Sequence, residues 1–99
     1  MSYKKTMKGV DYLVQNELDM AAEDNGDHFA SDHEAFSVIL EEVAETKEEL
    51  QVIVDCMNGL WRSVRQDARN GDILKDIERH AGRLACEAIQ VAAMARKAM

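Results

Sequence analysis

The sequence predicts an all-α protein, a small helical bundle that assembles into an oligomer. Three observations carry this. The 99 residues include no proline and only five glycines, so few positions interrupt a helix. Apolar residues return at three- and four-residue intervals along most of the chain, the spacing of one helix face. A chain this short builds one modest core, and its longest helical segment carries two apolar lines, which points to a partner surface. Residues 1–99 read as a single domain, with no internal repeat, low-complexity segment or linker.

The first helix is expected from Tyr3 to about Glu23, with Met7, Val10, Val14, Leu18 and Ala21 on one face. Asn25-Gly26-Asp27 marks its end. Ser31-Asp32-His33-Glu34 is a capping box: the serine accepts from an exposed backbone N–H and the glutamate bonds back. A long second helix starts there. Its expected core stripe is Phe36, Leu40, Val43, Leu50, Val54 and Met57. Glu42, Glu45 and Glu49 fall on another side, in line with Val38, Val52 and Cys56. Valines in line with acids suit a packed face better than a solvated one. Asn58-Gly59 is expected to break or kink the chain, leaving Leu60, Trp61 and Val64 in a short amphipathic piece that ends near Asn70-Gly71. The last helix runs from about Asp72 to the C-terminus. Its expected core stripe is Leu74, Ile77, Ala81, Leu84, Ala88, Val91 and Ala95, flanked by a polar line of His80, Arg83, Glu87 and Gln90 that ends at Met94.

Charge and composition exclude some functions. A net charge of −7, with acids and bases mixed along the chain, argues against a nucleic-acid surface, which is usually basic. No apolar run approaches the roughly 20 residues of a membrane span. The first five residues, with two lysines, lack the apolar region of a signal peptide, so the expected location is cytoplasmic. Cys56 and Cys86 read as reduced thiols, Cys86 as a small buried hydrophobe.

The acids carry the chemistry. Residues three apart share a helix face, so Glu42 and Glu45 present two carboxylates side by side, and Glu49 extends the row. Like charges this close repel unless a cation or ligand offsets them. Glu87 from the last helix completes a set of oxygen ligands inside a bundle, with Gln90 one turn on as a neutral oxygen. Oxygens alone suit Mg²⁺, with Mn²⁺ as a substitute, and no Cys/His pair has zinc spacing. The same glutamates also suit a solvated acidic face, since Glu is a good helix former.

The run from Phe29 to Glu45, with its Glu41-Glu42-Val43-Ala44-Glu45 ending, and the later run Glu87-Ala88-Ile89-Gln90-Val91-Ala92-Ala93-Met94-Ala95 resemble the phage-type branch of the MazG-like, all-α nucleotide pyrophosphohydrolase superfamily. That superfamily carries ExxE on one helix and ExxD on a later one. Glu42 and Glu45 match the first half, and Glu87 matches the first position of the second. The resemblance spans about residues 28 to 98. It implies a homodimer or homotetramer in which Glu42, Glu45 and Glu87 hold Mg²⁺. It also implies hydrolysis of a nucleoside triphosphate to the monophosphate and pyrophosphate, with Glu41 or Glu49 orienting or deprotonating the water. The chain departs from the signature in two places. Gln90 stands where the family has Asp, and 41 residues separate Glu45 from Glu87, a longer gap than the pattern usually has. A neutral amide binds a divalent cation less strongly than a carboxylate and cannot act as a base. Those departures also fit a non-catalytic helical phage or prophage protein that keeps the fold with a degenerate cation site.

Further residues have two readings each. His33 contacts substrate or sits at the helix start as a surface residue. Trp61 stacks on a nucleobase or packs in the bundle or an interface. His80, two turns before Glu87, approaches the acids or lies at a surface. Arg83, Arg96 and Lys97 meet phosphates or complement the helix dipole.

Overall fold

The computed structural model describes residues 3–99, which form three helices: α1 (Tyr3–Asn25), α2 (Asp32–Arg65) and α3 (Gly71–Lys97). The all-α expectation holds. α3 is the common partner. α2 packs along it as a long hairpin arm, α1 packs on another side of it, and no backbone contact joins α1 to α2 among the described residues. The result is elongated, 54 × 30 × 22 Å, with a radius of gyration of 17.1 Å. A compact chain of this length would have about 13 Å.

Each boundary has a local cause. α1 ends where Gly26 takes a left-handed φ of 79°, which glycine adopts without steric cost. Ser31 opens α2 in extended geometry, and its Oγ accepts from the Glu34 backbone N–H at 3.1 Å. The Glu34 side chain reaches back too, accepting from the N–H of Ala30, one residue before the cap, at 3.3 Å. Asp32 and Glu34 sit in the first turn of α2 and Arg62 and Arg65 in its last, the arrangement the helix dipole favours. Between α2 and α3, Asp67 holds a φ of 51° and the Ser63 carbonyl accepts from the Ala68 N–H at 3.0 Å. The Ser63 hydroxyl donates to the Asn70 side-chain oxygen, which therefore does not cap α3.

Two expectations are corrected here. α2 runs unbroken through Asn58-Gly59 to Arg65, so Leu60, Trp61 and Val64 belong to it. Glycine inside a helix costs about 1 kcal/mol relative to alanine. Half-buried Ile53, Cys56 and Leu60 on either side give the helix packing to continue through that weak point.

The second correction concerns which side of α2 faces inward. The stripe Phe36, Leu40, Val43, Leu50, Val54 and Met57 is exposed, with Phe36 at 66%. The side that meets α3 carries Ala35, Ile39, Glu42, Glu45, Glu49 and Ile53, all buried or half-buried. On α3, Leu74, Ala81, Ala88 and Ala95 are likewise exposed, while His80, Glu87 and Gln90 are half-buried. The acids of α2 meet the polar line of α3, and polar pairs between the two fix the register. Glu49 accepts from Arg83 Nε at 3.0 Å and lies 2.8 Å from His80 Nδ1.

Val14, Ala35 and Ala93 are the buried apolar residues among those described. Arg96, one turn after Ala93, reaches Asp11 and Gln15 at 2.6 and 3.3 Å and ties α3 to α1. The chain exposes 7732 Å². A compact folded monomer of its 11.1 kDa would expose about 5,700 Å². No helix among the described residues is long and apolar enough to cross a membrane. Both cysteines are free, and Cys86 is exposed rather than buried.

Candidate metal centre

The packing of α2 on α3 brings Glu42, Glu45 and Glu87 together at mid-interface. One oxygen from each lies within 4.8 Å of the others, and all three side chains are half-buried. That span is about the width of a hard cation's inner shell, twice ~2.1–2.4 Å. Glu42 and Glu45 converge because they are three apart on α2. Glu87 joins them because the register fixed by Glu49, His80 and Arg83 places it opposite.

The electrostatics are unfavourable for three free carboxylates. Glu42 Oε2 and Glu87 Oε2 are buried and accept no hydrogen bond. A buried acceptor without a partner costs about 1–3 kcal/mol, more when charged. Burial pushes the Glu42 carboxyl above the usual carboxylate range, and the charges of Glu45, Glu87, Glu41 and Glu17 push it further. Glu45 is also raised, first by a hydrogen bond with Glu87, then by burial and the Glu87 charge. A divalent cation would relieve that repulsion. The two orphaned oxygens and the all-oxygen donor set fit Mg²⁺ or Mn²⁺.

Other candidates are placed as follows. Gln90 is half-buried one turn after Glu87. Glu41 is exposed beside Glu42. Both oxygens of Glu49 are engaged, one by His80 and one by Arg83, so these three residues form an inter-helix bridge one turn from the cluster. His33 is exposed in the first turn of α2. Trp61 is 62% exposed with the Arg65 guanidinium 6.0 Å from its ring centre. It lies about 24 Å along the helix from Glu45. Lys97 sits 4.4 Å from the centre of the Phe29 ring.

Glu17 of α1 was missed from the sequence. It is half-buried and contributes to the field on Glu42. Its signal was available: it follows buried Val14 by three residues and so shares its face.

Fold and site define a three-helix protein with a carboxylate cluster between its two longest helices. Compared with protein-family models, curated proteins and solved structures, the chain matches none.

Proposed function

We propose that the protein is a Mg²⁺-dependent nucleoside triphosphate pyrophosphohydrolase, releasing monophosphate and pyrophosphate, that works as an assembly of identical chains. The observation carrying this reading is the pair of buried, unpartnered oxygens on Glu42 and Glu87, drawn with Glu45 into one cluster. Such a set is costly to keep for folding alone. When bound, the metal neutralises phosphate oxygens and favours attack on phosphorus. Glu42, Glu45 and Glu87 hold it. Glu41, exposed beside Glu42, is the residue we assign to accept a proton from water, since Glu49 already accepts from two donors. His80 and Arg83 fix Glu49 and the helix register, and Arg83 remains 64% exposed and open to a phosphate as well.

A second reading is favoured by Gln90 in the place of an acid and by the engagement of Glu49. It is a non-catalytic helical protein of phage or prophage origin with a cation site. Pyrophosphate release from a panel of (d)NTPs, with Mg²⁺ and then Mn²⁺, separates the two. The expected result is release that falls at least a hundredfold in Glu42→Gln. A folded, metal-binding protein that releases none from any nucleotide leaves the second reading.

A further inference from the structure

The exposed side of α2 repeats with a period that a lone helix does not need. From Phe36 to Val64 the stripe advances by four, three, four and three residues throughout, and eight of its nine positions are apolar, Lys47 being the ninth. An average interval of 3.5 residues is the pattern of a left-handed coiled coil, because a straight helix drifts ~20° per heptad away from it. All nine positions are exposed in the single chain. The neighbouring Ser37, Ala44, Gln51 and Asn58 are small or uncharged, so no charge is desolvated along that edge.

We infer that this face pairs with the same face of a second copy of the chain, α2 against α2 and antiparallel. Charge decides the direction. Asp32 and Glu34 stand at one end of α2, Arg62 and Arg65 at the other. In a parallel pair the two acidic helix starts lie at one end and the two basic helix ends at the other, and Lys47 meets the other Lys47 in mid-seam. In an antiparallel pair centred between Lys47 and Leu50, Asp32 lies opposite the partner's Arg65, Phe36 opposite the partner's Trp61, and Lys47 opposite the partner's Leu50. Helix dipoles favour the same direction.

Area decides that the occupant is large. The chain exposes 7732 Å², about 2,000 Å² beyond a compact monomer of its mass. A standard specific interface covers ~800 Å² per partner, which that surplus accommodates. Beside the middle of the seam is a groove of about 210 Å³ lined by Val43, Thr46, Lys47, Leu50, Ala88 and Val91, a receptor for a partner side chain. The seam lies on the side of α2 away from the acids, so it stands whether or not the cluster binds metal.

Sedimentation equilibrium at tens of micromolar tests it, on the unmodified chain and on the double variant Leu50→Lys/Val54→Lys. Both residues are exposed, so the single chain keeps its fold, which far-UV circular dichroism checks. The expected masses are two chains for the first and one for the second. A single-chain mass for the unmodified protein, or an assembly that survives both lysines, overturns the inference. Direction is read in a background of Cys56→Ser/Cys86→Ser. A Phe36→Cys chain mixed with a Trp61→Cys chain should form a mixed disulfide. A Trp61→Cys chain that oxidises to its own copy shows a parallel pair and overturns the proposed direction.

Discussion

Millimolar Mg²⁺ or Mn²⁺ should raise the melting temperature of the unmodified protein and leave that of Glu45→Gln nearly unchanged. A ligand that binds only the folded state stabilises it by about 2.7 kcal/mol at a hundred times its Kd. For a chain of this size that is roughly 10–20 °C, at ~4–8 °C per kcal/mol. Without metal, Glu45→Gln should melt at or above the unmodified protein, because it removes one of three mutually repelling carboxylates. The pH dependence has a definite sign. Glu42 and Glu45 are raised in the folded state, so the fold holds their protons more tightly than the unfolded chain does. Their contribution to stability is full below about 4.3, the ordinary glutamate value, and is lost as pH rises through the raised folded values. Metal replaces those protons, so the metal-induced rise should grow across the same window. Melting curves at stepped pH, with chelator and with Mg²⁺, check all of this. A large loss of metal-free stability in Glu45→Gln would mean that Glu45 has a structural partner, and the metal reading would lose its support.

Ala93→Leu should destabilise the chain by about 1–3 kcal/mol, as inserted methylenes do in a packed site. Ala93 has no exposed surface, and Arg96 one turn on holds Asp11 and Gln15 of α1. A leucine there must push α1 from α3. Exposed Ala92→Leu is the control, expected within ~0.5 kcal/mol of the parent. Urea unfolding of both variants checks the difference. Equal midpoints would show that α1 does not pack as described.

The helices and the Glu42–Glu45 pair were legible because their signals are local, whereas Glu87 entered through the expectation of a bundle and the family resemblance. Ser31 and Glu34 signal a helix start by side-chain chemistry, and Glu42 and Glu45 share a face by spacing alone. Asn58-Gly59 misled because glycine weakens a helix without forbidding it. The inward side of α2 was not legible. An apolar stripe says that a surface avoids water, not which surface covers it. Here the polar side of α2 found its match in His80 and Arg83, and the apolar side was left outside. For Glu17, spacing from Val14 reports the inward face, but not that Glu42 of another helix lies there.

That α1, among the described residues, packs on α3 and not on α2 bears on how the molecule breathes. The α2–α3 hairpin keeps its own interface when α1 lifts away, while Val14, Ala93 and the Arg96 contacts to Asp11 and Gln15 open to solvent. Cooperative units with few partners open at a fraction of the global free energy. Amides of α1 should therefore exchange with solvent deuterium well before those of the hairpin, and each such excursion takes the Glu17 charge away from Glu42.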